Sequence, residues 1–442
     1  MARHVIVLSV AALRERDVAR MPQLERLTAG GQMAPLVPTF PCVTCPVQAN
    51  MTTGTLPREH GVVANGFYWR DQARIEMWTS PNDCILRPQI WDRLGQSNSQ
   101  LTSAVWFALH SKGSSADYVC TPAPIHGPDG SESLWCYTRP EGWYETLMER
   151  LGHFPLQHFW GPMAGIQSTT WIVESAIETA RAFQPRLFYI YLPHLDYAAQ
   201  RTGPDSPQAE AAAGELDQAL GRLAEGMADA LGEDLVWVVA GEYAITPVDR
   251  VVYPNRILRE AGLLAVRETD QGLVLDPKAS RAWALADHQL AHVFVAEHDP
   301  QLIKQVKELF AGQAGIAEVV SAGRLADYGL DHPRSGDVVL VSAPDRWLAY
   351  YYWLSHDEAP RFARTVDIHR KPGYDPVELF WDPASRAIPL DTSLVKGSHG
   401  APAVSRDQQS VILVSRGGLL PPGPVKDTEV FDIMLRCCKA LT

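Results

Sequence analysis

Short apolar runs rich in β-branched residues alternate along the chain with longer stretches in which apolar positions have a helical spacing. This alternation is typical of parallel strands joined by crossover helices. Buried strands are predicted at residues 4–10, 186–192, 234–240 and 410–414. Between residues 214 and 232, apolar side chains recur at steps of three and four, which predicts an amphipathic helix lying on the sheet. The pattern therefore predicts an α/β fold.

The pattern changes after residue 250. A hairpin-like stretch is followed by a predicted strand at 291–297 and a predicted helix at 299–312, which together indicate a small α+β unit. We expect a core α/β domain over 1–250, an inserted α+β subdomain over 251–335, and a return to the core over 336–442. Residues 337–344 are predicted either to return to the core or to bridge the two parts, and 427–441 to close the chain as a helix.

Composition and charge limit the kinds of partner and the cellular location that we expect for this protein. The 442 residues, 46% of them apolar, are enough for a large buried core. The net charge is −12 and the basic residues form no runs, so we expect no nucleic-acid polymer as a partner. The apolar run at 5–13 is too short for a signal sequence and no segment is predicted to span a membrane, so the expected location is cytoplasmic, without a membrane partner. Seven scattered cysteines, an odd number, favour reduced thiols.

The segment around Thr44 is the most informative for chemistry. Proline is favoured in the first turn of a helix, so Pro46 places Thr44 at or just before a helix N-terminus. A hydroxyl at that position can cap the helix, and the free N–H groups of the first turn can hold an anion. The segment is therefore either a candidate phosphate site with a hydroxyl nucleophile or an ordinary threonine cap.

Cys42 and Cys45 flank this threonine as a lone Cys-x-x-Cys pair. Because no second Cys/His pair lies nearby in the sequence, buried thiols are favoured over a zinc knuckle or a redox pair. A thiolate at position 45 would be stabilised by the helix N-terminus, which would let Cys45 compete with Thr44 as the nucleophile.

Four segments in order along the chain resemble one known family. The segment at 39–54, continued by His60-Gly61, is similar to the nucleophile region of the nucleotide pyrophosphatase/phosphodiesterase branch of the alkaline phosphatase superfamily. Residues 189–204, 238–244 and 397–400 resemble further landmarks of that family, so the resemblance covers residues 5 to 400. It implies a mostly parallel sheet sandwiched by helices, with the active site at the carboxyl ends of the strands.

The first two metal-binding landmarks of the family are altered. Ala11 stands where the family has a metal-binding Asp at the end of the first strand. Asp196 matches the Asp of an Asp-x-x-x-His pair, but Gln200 stands where the His is expected. Gln200 lies one helical turn on, where it would offer only a neutral amide oxygen.

The later landmarks are kept in part. Glu242 and Tyr243 stand where the family has Asp and His, and His399 matches the His of the final Gly-x-His-Gly loop. The resemblance implies hydrolysis of phosphodiesters or related small-molecule phosphate esters, with Thr44 attacking phosphorus. We expect a remodelled centre with one divalent ion, zinc, manganese or iron, held by Asp196, Glu242 and His399.

Other polar residues are weaker candidates. Asn65 and Gln200 are expected to contact a small-molecule substrate, and the oligomeric state is left open. Four side chains are candidates for an added ligand or an acid/base group: Asp367, His369, Tyr243 and His194. A further cluster formed by Asp287, His288 and His292 is interpreted as structural histidines or a solvated loop.

Two other functions stay open at this point. The lost ligands favour a scaffold turned to different, metal-independent chemistry on a non-phosphate metabolite, with Tyr243, His369 or a cysteine as the reactive group. The third class is a non-catalytic binding protein that keeps the pocket, against which the retained Thr44, Asp196 and His399 argue.

Overall fold

A computed structural model describes residues 4–98, 100–126 and 132–439. Its strands, in chain order, are β1 (His4–Val10), β2 (Gln32–Val37), β3 (Gly66–Trp69), β4 (Arg74–Met77), β5 (Ser103–Trp106), β6 (Tyr118–Pro122), β7 (Ile125–His126), β8 (Glu132–Ser133), β9 (Cys136–Arg139), β10 (Leu187–Leu192), β11 (Leu235–Gly241), β12 (Thr246–Pro247), β13 (Arg250–Val252), β14 (Val266–Thr269), β15 (Gly272–Leu275), β16 (Ala282–Asp287), β17 (Leu290–Val295), β18 (Ile316–Ser321), β19 (Val338–Ser342), β20 (Arg346–Leu348), β21 (Gly397–Ser398), β22 (Ser410–Val414) and β23 (Val425–Lys426). Its α-helices are α1 (Glu15–Val18), α2 (Pro22–Leu27), α3 (Thr44–Thr53), α4 (Pro57–His60), α5 (Ile90–Ser97), α6 (Trp143–Leu151), α7 (Ile166–Phe183), α8 (His194–Thr202), α9 (Pro207–Leu231), α10 (Pro254–Glu260), α11 (Pro300–Phe310) and α12 (Val430–Lys439).

A nine-stranded mixed sheet forms the centre, in the order β23-β2-β22-β11-β1-β10-β5-β6-β9. The five strands from β11 to β6 are parallel to one another. Strand β22 pairs antiparallel with both β11 and β2, and β9 pairs antiparallel with β6. This architecture confirms the predicted α/β class and the mostly parallel core.

Helices cover both faces of this sheet, as the alternation of side chains along its strands requires. From β1, Val5 and Val7 belong to a core shared with apolar residues of α3, α5 and α12. The alternate residues Ile6, Leu8 and Val10 face the opposite core, which contains side chains of α7 and α9. Within the described residues, no helix is both long and apolar enough to cross a bilayer.

The predicted elements of the core are observed with small shifts at their ends. Strands β1 and β22 have the predicted bounds, while β10 and β11 each start one residue later. Helix α9 starts at Pro207, seven residues before the predicted start at 214, because the Ser206 side chain accepts a hydrogen bond from the Ala209 N–H and Pro207 suits the first turn. The closing helix α12 begins at Val430 rather than 427, and residues 440 and 441 of its predicted span lie outside the described residues.

A second sheet lies in the later part of the chain. Strands β16, β17, β19 and β18 form an antiparallel sheet, and β14 pairs with β15 as the predicted hairpin. Strand β19 lies between β17 and β18, so residues 338–342 join this sheet rather than the central one. The division into 1–250, 251–335 and 336–442 stays a prediction, whose outermost residues 1–3 and 440–442 lie outside the described ranges.

Close packing of α9 against α7 gives a first test of the fold. A Cβ atom at Gly226 would lie 2.4 Å from the Ile177 Cδ1 atom, whereas one at Gly214 in the same helix would meet nothing within 4 Å. Both Gly226→Ala and Gly214→Ala gain the higher helix propensity of alanine, but only the methyl group at position 226 is overpacked. We therefore expect Gly226→Ala to be about 1–3 kcal/mol less stable than Gly214→Ala. Urea unfolding of the two variants measures this difference, and equal free energies of unfolding would contradict the packing.

Candidate functional site

The site lies at the carboxyl ends of three adjacent parallel strands. Because β1, β10 and β11 run parallel, the segments that follow them meet at one edge of the sheet. Helix α8, which carries Asp196, begins two residues after β10 ends, and Glu242 directly follows β11. Ala11 directly follows β1 and is fully buried.

Thr44 is the first residue of α3, as predicted. The preceding residue, Val43, has an extended backbone (φ −126°, ψ 158°) and serves as the N-cap. The Asn65 side chain accepts a hydrogen bond from the Cys45 N–H at 2.9 Å, and Asp287 accepts bonds from both the backbone and the side chain of Asn65. Asn65, expected to contact substrate, therefore supports the first turn of the helix that presents Thr44.

A hydrogen-bonded chain joins Thr44 to Asp196 through a tyrosine. The Thr44 hydroxyl oxygen lies 3.1 Å from the Tyr243 hydroxyl, which donates to Asp196 Oδ1 at 3.2 Å. All three side chains are buried, with Asp196 only 7% exposed. Burial raises the pKa of Asp196 to about 6. Tyr243 thus lies between the candidate nucleophile and a carboxylate.

Gln200 completes the surroundings of this carboxylate. Its Nε2 donates to Asp196 Oδ2 at 2.5 Å, and its Oε1 accepts from the Tyr374 hydroxyl at 2.7 Å. The expectation that Gln200 offers an amide oxygen on the Asp196 side is wrong. A carboxylate only accepts hydrogen bonds, so the Gln200 amide turns its NH₂ group toward Asp196.

Glu242 is held by two uncharged donors. Its Oε1 accepts from Ser9 Oγ at 2.7 Å and from Gln48 Nε2 at 2.7 Å. The Gln48 Oε1 accepts from the Leu109 N–H, which fixes the direction of that amide. Burial raises the pKa of Glu242 to about 8. The second oxygen, Oε2, is buried without a hydrogen-bond partner.

His399 contributes an unpaired acceptor. Its Nδ1 lies 2.8 Å from the Cys42 carbonyl oxygen, which can only accept, so the proton is on Nδ1 and Nε2 carries the lone pair. Burial and the nearby His288 lower the pKa of His399 well below its usual value, which keeps the ring neutral. Its ring stacks on Tyr243 with centroids 3.6 Å apart, and Nε2 has no hydrogen-bond partner and lies 3.8 Å from Asp196 Oδ1. Such an orphaned buried atom is expected where a ligand approaches.

The second sheet supplies two residues to the site, Asp287 at the end of β16 and His288 directly after it. Asp287, which supports Asn65, also lies 2.7 Å from His288 Nδ1. The His288 ring is stacked on Tyr374 at 3.7 Å and lies 3.9 Å from the His399 ring. The interpretation of this cluster as a solvated loop is wrong, because both side chains are buried against the site. The signal is the run of titratable residues at the entry to the strand predicted at 291–297.

Three candidate ligands have their contacts elsewhere. His194 Nε2 lies 2.8 Å from Glu215, on the side of α9. Asp367 pairs with Arg370 at 2.8 Å, and the exposed His369 has its ring nitrogen 3.4 Å from the Met77 carbonyl oxygen. The structure gives none of the three a contact with Thr44 or Asp196 within the described residues, and their roles as added ligands stay predictions.

The cysteines of the Cys-x-x-Cys pair are buried and unpaired. The Cys42 thiol lies 3.5 Å from the Pro38 carbonyl oxygen. Burial, reinforced by the charge of Asp287, raises the pKa of Cys45 well above its usual value. Burial therefore opposes the Cys45 thiolate that the helix N-terminus is expected to favour.

The donor set does not fit the expected single-metal centre. Throughout residues 4–98, 100–126 and 132–439, no group of three His, Cys, Asp or Glu side chains is arranged to hold a metal ion. Asp196 and His399 approach each other, but both oxygens of Asp196 accept hydrogen bonds from uncharged groups. Glu242 has only its Oε2 free, because Oε1 is engaged with Ser9 and Gln48. Two protein donors fall short of the three that a catalytic zinc site uses.

His60, from the same motif as Thr44, gives a test of pH dependence. It is fully buried, with Nε2 2.8 Å from Asn50 Oδ1 and Nδ1 accepting from the Val62 N–H. Burial lowers its pKa from 6.5 to about 3. Below pH 6.5, His60 is protonated in the unfolded chain but stays neutral in the folded chain. The free energy of unfolding therefore decreases as the pH falls.

We expect this one residue to lower the free energy of unfolding by about 2 kcal/mol between pH 7 and pH 5. Urea unfolding at the two pH values measures the loss. The variant His60→Gln should lose about 2 kcal/mol less than the parent over the same range. His356→Gln, at an exposed position, is the matched control and should follow the parent. Equal losses in all three proteins would contradict the assignment.

Comparisons with known proteins show the family of this chain and agree with its fold. The sequence model of the type I phosphodiesterase/nucleotide pyrophosphatase family matches residues 5–375. The chain is 25% identical over 232 residues to an uncharacterized pyrophosphatase/phosphodiesterase of Schizosaccharomyces pombe, covering 50% of this chain and 40% of that protein. It thus spans about two fifths of the length of that curated relative.

Two solved structures have a similar fold. Phosphonoacetate hydrolase of Sinorhizobium meliloti, in complex with phosphonoformate, matches with a TM-score of 0.65 at 18% identity, covering 100% of this chain and 96% of that chain. An inactive variant of murine ectonucleotide pyrophosphatase/phosphodiesterase 5, in complex with AMP, matches with a TM-score of 0.62 at 14% identity, covering 99% and 95% of the two chains.

Proposed function

Because the chain belongs to the type I phosphodiesterase/nucleotide pyrophosphatase family of hydrolases, we propose that it hydrolyses phosphodiesters or related small-molecule phosphate esters with Thr44 as the nucleophile. The observation that carries this proposal is the hydrogen-bonded chain from Thr44 through Tyr243 to Asp196 at the start of α3. It gives the hydroxyl a neighbour that can take its proton, which a threonine cap does not need.

The first half of the reaction transfers the phosphoryl group to the enzyme. The Thr44 oxygen bonds to phosphorus as the bond from phosphorus to the leaving oxygen breaks. The Thr44 proton passes to the Tyr243 oxygen while the Tyr243 proton passes to Asp196, and the leaving alkoxide takes a proton from solvent. The second half reverses this path: water bonds to phosphorus and releases one proton to solvent, the bond to Thr44 breaks, and the proton on Asp196 returns to Thr44 through the phenol.

The charges around Thr44 support a preference for diesters over monoesters. Asp196 is a buried acidic side chain that is linked to Thr44 through the Tyr243 hydroxyl. A monoester dianion would be repelled about twice as strongly as a diester monoanion by the Asp196 carboxylate. Glu242 adds little to this repulsion, because its raised pKa of about 8 keeps it protonated at neutral pH. The unpaired Nε2 of His399 is available to accept a hydrogen bond from the substrate or from the attacking water.

Asp196→Asn tests the proton acceptor. We expect kcat/KM for bis(p-nitrophenyl) phosphate to fall by about 10²–10⁴-fold, because an amide accepts no proton at this position. Asp249→Asn, in which the parent carboxylate is 68% exposed, is the matched control and should keep the parent rate. Equal rates in the two variants would overturn the role of Asp196. A parent protein that binds but does not turn over diesters would instead favour a non-catalytic binding protein.

A further inference from the structure

Where the family has metal-binding histidines, this chain has Gln200 and Tyr243, which donate hydrogen bonds to Asp196. Each oxygen of the Asp196 carboxylate therefore accepts a hydrogen bond from an uncharged donor. Such donors satisfy a buried carboxylate without a positive charge. A divalent ion bound by this carboxylate would have to displace at least one of them.

The orientation of Gln200 is fixed from both ends. Its carbonyl oxygen accepts from the Tyr374 hydroxyl, while its amide hydrogens face Asp196 at 2.5 Å. Tyr374 is in turn held by its ring contact with His288. Reversing the amide to offer oxygen to a cation would turn its NH₂ group toward Tyr374 and leave Asp196 Oδ2 without its donor. Gln200 is therefore a hydrogen-bond donor in this site and not a metal ligand.

Tyr243 fills the place beside the nucleophile. Its ring lies parallel to that of His399, within 4°, and its hydroxyl lies between Thr44 and Asp196. A cation shared by the nucleophile and this carboxylate would occupy the same place. Ala11, buried in the core, offers no ligand on the remaining side.

The structure assigns to Tyr243 and Gln200 the organising role that a divalent cation would have. We propose that these two side chains organise Asp196 and Thr44 through hydrogen bonds, so that the protein binds no divalent metal at this site and turns over phosphate esters without one. The statement about metal binding stands on the donors alone. The statement about turnover rests on the proposed function.

Restoring the family's histidine tests the assignment of Gln200. In Gln200→His, a histidine one turn after Asp196 would join His399 and complete a set of one Asp and two His. After dialysis against zinc and then buffer, we expect elemental analysis to find about one equivalent of zinc in Gln200→His and less than about 0.1 equivalent in the parent. Gln200→Ala removes the same amide without adding a ligand and should stay zinc-free.

The outcomes separate the two statements. A parent protein that holds about one equivalent of zinc, manganese or iron, lost in Asp196→Asn, would overturn the proposal. Zinc-free Gln200→His would overturn the assignment of Gln200 as the residue that excludes the ion. A metal-free parent whose diester hydrolysis is unchanged by EDTA supports both statements. A metal-free parent without hydrolysis supports the metal-free site and refutes the proposed function.

Tyr243→Phe separates a reacting phenol from a merely structural ring. We expect it to keep the parent's metal content and fold, measured by circular dichroism, but to lower kcat by about 10²-fold or more with little change in KM. A variant with parent kcat would overturn the assignment of Tyr243.

Discussion

Replacing Thr44 by valine should remove hydrolysis almost completely. We expect kcat/KM for a phosphodiester to fall by about 10³-fold or more, equivalent to about 4 kcal/mol of transition-state stabilisation. The reason is that valine keeps the shape and branching of threonine while losing the oxygen that forms the covalent bond. Steady-state kinetics with bis(p-nitrophenyl) phosphate measures the effect.

Two controls make this result specific. Thr44→Ser keeps a hydroxyl at the start of α3 and should retain activity to within about tenfold, because only the positioning methyl group is lost. Thermal unfolding of Thr44→Val should stay near that of the parent, which shows that the loss is chemical. A valine variant as active as the serine variant would refute a nucleophilic role for Thr44 and leave direct attack by water.

Lys371→Met should cause the largest loss of stability. Lys371 is 1% exposed, and its ammonium lies 2.8 Å from Asp375 and 2.6 Å from Glu378, which are equally buried. Removing this cation leaves two buried carboxylates facing each other without a counter-charge. We expect the free energy of unfolding to fall by about 3–5 kcal/mol, measured by urea unfolding.

The neighbouring pair provides a matched control. Arg370 forms an ion pair with Asp367 at 2.8 Å, but its side chain is 63% exposed, so Arg370→Met should cost no more than about 1 kcal/mol. Equal losses in Arg370→Met and Lys371→Met would contradict the buried triad.

The same triad connects stability to the site. Glu378 also accepts a hydrogen bond from the Trp160 indole at 2.5 Å, and the segment between Lys371 and Glu378 carries Tyr374, which orients Gln200. Loss of the triad is therefore expected to disturb Tyr374 as well as to destabilise the chain.

The core elements could be predicted because their signals are local. The apolar run of β1 and the spacing of apolar residues in α9 are each complete within one segment of sequence. The early start of α9 is missed because the apolar positions of its first turns are alanines, and the small Ala212 and Ala213 give a weaker apolar signal than the later leucines. Strand β19 was ambiguous because its apolar run suits either sheet.

The site was predictable only in part, for a different reason. The order of motifs predicts that Thr44, Asp196 and His399 lie together. In the structure His399 Nε2 lies 3.8 Å from Asp196 Oδ1, and Thr44 reaches Asp196 through Tyr243. Whether Gln200 presents oxygen or hydrogen depends on Tyr374, 174 residues later.

The contribution of the second sheet to the site could not be predicted from the sequence. His288 approaches His399 from the turn between β16 and β17. The titratable residues around it in the sequence mark a polar cluster, but they do not indicate its contact with His399. Pairings between side chains so far apart along the chain are decided by tertiary packing, which local patterns do not contain.

The stereochemical course at phosphorus tests the central claim most directly. A diester made chiral at phosphorus by one sulfur atom is hydrolysed in ¹⁸O-labelled water, and the configuration of the product is determined. Attack by Thr44 followed by attack by water inverts phosphorus twice, so the account predicts net retention of configuration. Net inversion would mean that water attacks the ester directly, and would contradict Thr44 as the nucleophile.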